Sequence, residues 1–146
     1  MTVKVRVALA ADKDACLALL GELSAATGSS LNSAMGDAYD SLLDGKRGQI
    51  LVAEEQGRLL GLASVTFNLA MRYGGEYCQL EELVVDPEAR GKKVGALLIE
   101  ATLASARSRG CAEIGLYLVA STEHNQAFYE KYGFNAVGTE MRQVLG

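Results

Sequence analysis

Residues 80–106, LEELVVDPEARGKKVGALLIEATLASA, limit the folds open to this chain more than any other stretch. Leu83, Val84 and Val85 read as the end of a strand, which Asp86-Pro87 stops because proline cannot donate to a sheet ladder. Gly91 falls in the turn that follows. From Val94, the residues Leu97, Leu98, Ala101 and Ala104 recur at helical spacing, and Ala96, Ile99, Leu103 and Ala106 make a second stripe. The spacing predicts a helix buried on two sides.

Between strand and helix, Arg90-Gly91-Lys92-Lys93-Val94-Gly95 is basic in a chain of net charge −4. A helix start offers unpaired N–H groups and the positive end of a dipole, glycines admit close backbone approach, and cations add attraction. These features point to a phosphate ligand. The alternative is a surface turn whose Lys and Arg serve solubility. Neither the Walker A pattern nor the G-x-G-x-x-G fingerprint is present.

With 146 residues, 49% of them hydrophobic, the chain suits one α/β domain with its own core. No apolar run approaches the roughly 20 residues of a membrane span, and the first residues lack the layout of a secretory signal, so a soluble, cytoplasmic protein without membrane partners is expected. Cys16, Cys78 and Cys111 are widely separated and only one histidine accompanies them, which favours buried thiols over a disulfide or a metal site. The acidic balance argues against nucleic acid as a partner.

Val3, Val5 and Val7 alternate with Lys4 and Arg6, as in a first strand. Asp12 stands as N-cap before a stripe of Ala15, Leu19, Leu20 and Leu23. A weaker helix over 31–43 has Ser30 or Asn32 as its cap and Gly45 as its stop. Residues 49–55 and 59–69 form a hairpin about Gln56-Gly57-Arg58, and 76–85 the next strand. Arg107, Arg109 and Gly110 close the long helix. A strand over 112–120, a helix capped by Ser121 or Thr122, and one or two closing strands over 134–144 complete the reading. The order predicts an α/β fold of the mixed α+β kind: a mostly antiparallel sheet flanked by helices.

Arg90-x-x-Lys93-x-Gly95, preceded by Val84-Val85-Asp86-Pro87, resembles the acyl-CoA signature Q/R-x-x-G-x-G/A of the GNAT superfamily of N-acetyltransferases. Lys93 stands where that pattern has a glycine. A left-handed lysine there would cost about 1 kcal/mol, whereas a right-handed one would cost nothing. The segment Asn125-Gln126-Ala127-Phe128-Tyr129-Glu130-Lys131-Tyr132-Gly133-Phe134 is similar to the family's N-x-x-A-x-x-F-Y-E-x-x-G-F, with shorter spacing before the alanine. Two motifs in the family's order are more specific than either alone.

The resemblance implies acetyl-CoA as co-substrate, no metal, an amine-bearing small molecule or a protein N-terminus as acceptor, and a homodimer as one arrangement. It implies a sheet splayed beside the central strand that ends near Val85, with a β-bulge or local break there, and places the donor along Leu83, Val84 and Val85, its pyrophosphate on Arg90, Gly91, Lys92, Lys93, Val94, Gly95 and Ala96, and its pantetheine arm near Asn125, Phe128 and Tyr129. Phe128, Phe134 and Gly133 are also read as core residues and a C-cap. Tyr129 is the candidate general acid for the leaving thiolate. Glu82, with Glu81 behind it, is the candidate base, and both would attract a cationic amine. Strict alternation places Leu80, Glu82 and Val84 on one face and Glu81, Leu83 and Val85 on the other. His124 reads as a surface residue beside a cap. The other readings are an idle acyl-CoA-binding sensor or interaction module, and a structural domain whose basic turn binds nothing.

Overall fold

The computed structural model describes residues 2–27 and 34–146, with the backbone alone for 23–27. The elements run β1 (Lys4–Val7), α1 (Lys13–Thr27), α2 (Met35–Leu42), β2 (Gly48–Glu55), β3 (Arg58–Ala70), β4 (Gly75–Val85), α3 (Val94–Arg109), β5 (Ile114–Leu116) and α4 (Gln126–Glu130), joined by short 3-10 turns. They form one five-stranded sheet in the order β1-β2-β3-β4-β5. The first three pairings are antiparallel and β4–β5 is parallel. This is the mixed, mostly antiparallel sheet flanked by helices that the order of elements predicts. No helix among the described residues is long and apolar enough to cross a membrane.

The β2–β3 hairpin turns on Gln56 and Gly57, both at positive φ, as a tight two-residue turn requires. Each face of the sheet carries its own core. On one side Leu51, Ala53, Ala63, Val65, Cys78 and Leu80 meet Val94, Leu98 and Ile99 of α3. On the other, Ile50, Val52, Leu62 and Val84 meet Cys16, Leu19 and Tyr39. Gly61 lets α3 sit close: a Cβ there would lie 2.8 Å from the Val84 carbonyl oxygen and 3.0 Å from Val94. At the other end of α3, Arg109 donates to the carbonyls of Gly45 and Lys46 at 2.7 and 2.8 Å, pairs with Glu76 at 2.9 Å, and covers the Phe67 ring.

Several expectations need correction. α3 is buried along one face only, through Val94, Leu98, Ile99, Thr102 and Ala106, while Ala104 is exposed. In α1 it is Cys16 that joins Leu19 in the core, and Ala15 is exposed. Asp12 precedes α1, but its carboxylate accepts from the Leu9 amide and the Arg6 guanidinium rather than capping the helix. Leu23's side chain and the proposed caps Ser30 and Asn32 lie outside the described residues. The N-cap of α4 is Asn125 rather than Ser121 or Thr122, and Thr122 donates its hydroxyl to the Val119 carbonyl. The strand expected over 112–120 is three residues long, and no strand forms over 134–144. Strand pairing needs an adjacent edge, and β5 is too short to provide a long one.

Candidate active site

The cleft is opened by a defect in β4. Ser64 pairs with Glu82 and Val65 with Leu80, so Glu81 is an extra residue in β4, a β-bulge. The bulge breaks the alternation that the sequence implies. Cys78, Leu80, Leu83 and Val85 face the α3 core, whereas Val84 faces the α1–α2 core. Leu80 therefore does not share a face with Val84, contrary to expectation. Glu81 does not turn to the α3 side either: Thr66 donates its hydroxyl to Glu81 at 2.7 Å, and Glu81 and Glu82 line one cleft.

β4 and β5 pair only from Cys78 to Leu80, against Ile114 to Leu116. Among the described residues that edge of β4 has no strand beside it from Glu81 to Val85, and the sheet is splayed there as the resemblance implies. The cleft at the splay holds about 450 Å3. β4 lines it with Gln79, Glu81, Glu82 and Leu83, the chain after β5 with Tyr117, Val119, Thr122 and Asn125, and α4 with Tyr129. α1 and α2 close the far side with Cys16, Leu20, Met35, Ala38, Tyr39 and Leu42.

Burial raises the Glu82 carboxyl above the ordinary range, the neighbouring Glu81 adds to the rise, and a hydrogen bond donated by the Ser64 hydroxyl opposes it. Such a carboxylate is a better proton acceptor than one in water. Burial likewise raises the Tyr129 phenol, keeping it protonated and able to donate. Its ring packs edge-on against Phe128 and Phe134, at centroid distances of 5.1 and 6.0 Å. Phe128 packs against the α3-side core and Gly133 ends the α4 region at φ 90°, so the structural roles read for both hold.

The basic turn lies at the adjoining end of α3. The amides of Val94, Gly95 and Ala96, in its first turn, lack intrahelical acceptors, and the N-cap Lys93 makes no side-chain capping bond to them. Lys93, the N-cap, has φ 59° and ψ 30°, a left-handed conformation that glycine adopts without steric cost. Gly91 is also left-handed. Lys92 pairs with Glu55 at 2.6 Å, which leaves Arg90 and Lys93 as the cations of this turn without an ion pair among the described residues. A Cβ on Gly95 would touch Phe128 at 3.4 Å and Val85 at 3.9 Å, so the helix start, the strand end and α4 meet at this glycine. The Val84 and Val94 side chains are buried in the two cores and leave only backbone for a ligand.

The structure thus brings Glu81, Glu82, Leu83, Asn125 and Tyr129 to one cleft and sets 90–96 beside it. His124 does not line it. Sequence reading missed Ser64 and Thr66, which hold the two acids; their signal was two hydroxyls two residues apart within an apolar strand. Arg142, also at the cleft, carried no such signal. No group of residues that could hold a metal occurs among the described residues.

The profile of the acetyltransferase (GNAT) family matches residues 18–134. The chain belongs to the GNAT family. Its enzyme class is that of the acetyl-CoA-dependent N-acetyltransferases, and the bulge, the splay and the start of α3 sit within the stretch matched. Glucosamine 6-phosphate N-acetyltransferase of Trypanosoma brucei brucei is 34% identical over 98 residues, covering 66% of this chain and 65% of that one. Its counterpart from Arabidopsis thaliana is 28% identical over 149 residues, covering 99% and 97%. A solved Trypanosoma brucei acetyltransferase structure superposes with a TM-score of 0.80 at 30% identity, over 99% of this chain and all of that one.

Proposed function

We propose that this GNAT protein transfers the acetyl group of acetyl-CoA directly to a primary amine of a small molecule within a ternary complex. The observation that carries the reading is that Glu82 and Tyr129, each with its pKa raised by burial, line one cleft where β4 has lost its neighbour. The donor lies along the free edge of β4, with its pyrophosphate on the amides at the start of α3 and the charges of Arg90 and Lys93 nearby. Its thioester is then near Asn125 and Tyr129.

An amine attacks only as the neutral base. Glu82, directly or through water, takes the proton; nitrogen bonds to the acetyl carbon, the carbon–sulfur bond breaks, and Tyr129 protonates the departing thiolate. The products are an acetamide and free CoA. Cys16 is the one thiol lining the cleft among the described residues, and burial pushes it up to about 11. It is neutral at physiological pH and unsuited to carry an acetyl group between half-reactions, which supports direct transfer.

The relatives named for glucosamine 6-phosphate make an amino sugar phosphate one acceptor to test. The decisive variant is Tyr129→Phe, which keeps the ring packing and removes the proton donor. We expect kcat with the best amine to fall about 100-fold with CoA affinity retained. A change within about threefold would be too small for a lost general acid and would reject the assignment. Initial-rate lines should intersect; parallel lines would reject the ternary complex.

A further inference from the structure

We infer that the acceptor is a primary amine on an uncharged, apolar body, an alkylamine or arylalkylamine, rather than a phosphorylated sugar. The inference rests on the acetyl-transfer reading above and names the substrate class of the same cleft.

The wall opposite the acids decides it. Cys16, Leu20, Met35, Ala38, Tyr39 and Leu42 present carbon, a neutral thiol and one phenol, and that phenol is already spent on the Leu9 carbonyl at 2.5 Å. Sugar hydroxyls placed there would give up water without finding partners, whereas an alkyl or aryl body gains from leaving water.

Charge points the same way. The described residues of α1 and α2 carry Asp14, Glu22, Asp37 and Asp40 against a single cation, Lys13, which is paired with Asp40 at 2.9 Å and does not line the cleft. Glu81 and Glu82 face this wall from β4. The one cation lining the cleft among the described residues is Arg142, which is paired with Glu140 at 2.6 Å and stacked on Tyr117 at 4.9 Å. A phosphate dianion would meet acids and a neutralised arginine. An ammonium group is drawn in by both glutamates and can lose its proton to Glu82 beside the thioester.

The test compares phenethylamine, n-hexylamine and glucosamine 6-phosphate as acceptors, following thiol release from acetyl-CoA with the intact chain. The expected kcat/KM for the two apolar amines exceeds that for the sugar phosphate by at least about tenfold, the discrimination a hydrophobic pocket can supply. Equal values, or preference for the sugar phosphate, overturn the inference and leave acetyl transfer standing. If no amine releases thiol, acetyl transfer fails, and thermal melting of the CoA-bound protein decides the inference by itself. A rise with phenethylamine but not with glucosamine 6-phosphate supports it; any other pattern overturns it. As a second arm, Ala38→Arg should lower kcat/KM for phenethylamine by about tenfold and leave KM for acetyl-CoA within about twofold. An unchanged value for phenethylamine in a folded variant removes the wall from the acceptor site and overturns the inference.

Discussion

Glu82 is held between opposing influences, and its partner Ser64 is the one that favours charge. Burial and Glu81 raise the carboxyl, while the Ser64 hydroxyl stabilises the carboxylate. Ser64→Ala should therefore move the acidic limb of the kcat/KM profile to higher pH, with rates above the limb within about threefold of the parent. An unmoved limb would show that Glu82 does not set it. Stability follows with a definite sign. A carboxyl whose folded pKa is raised binds its proton more tightly in the native state, so its contribution is present below the unfolded pKa and lost as pH rises through the folded one. That loss should be steeper in Ser64→Ala, as read from melting temperature against pH. Lys93 holds a left-handed conformation, at a cost of about 1 kcal/mol, in the turn that leads into α3.

At the scale of elements, α3 is seated by what is missing beneath it. A Cβ on Gly61 would press on Val84, Val94 and, at 3.2 Å, Leu98, two of which belong to α3. Gly61→Ala should reduce unfolding free energy by about 1–3 kcal/mol and raise KM for acetyl-CoA by displacing the first turn of the helix. Denaturant melts and initial rates check both, and a neutral substitution would show that the helix shifts at no cost. The β2–β3 hairpin, α3 and their turns were legible in the sequence because periodicity, glycine and proline act locally. The length of β5 and the fate of 134–144 were not, because a strand exists only where another edge accepts it. The first stripe of α3 misled at its end because alanine tolerates water; Ala104 is apolar, yet it is exposed.

For the whole molecule, two cores share one sheet, and the cleft opens where the parallel pair at its edge separates. The two motifs in family order pointed to Glu82, Asn125 and Tyr129, and these side chains line one cleft. Its detailed geometry was legible only in part: the resemblance implies a bulge or local break beside the strand ending near Val85, but alternation assigns Glu81 and Glu82 to opposite faces and nothing local in LEELVV marks Glu81 as the extra residue. That extra residue makes β4 unusual with respect to deletion. Losing one residue from a central strand ordinarily turns everything beyond it to the wrong side. Without Glu81, however, Leu80 can remain opposite Val65 and Glu82 opposite Ser64 in unbroken alternation, with Leu83, Val84 and Val85 still facing the cores they face now. A chain lacking only Glu81 should therefore fold and melt cooperatively, while acetyl-CoA at concentrations that raise the parent's melting temperature should no longer raise its own. A chain that fails to fold would show that the fold itself depends on the irregularity, and one that still responds to acetyl-CoA would show that the opening in the sheet does not.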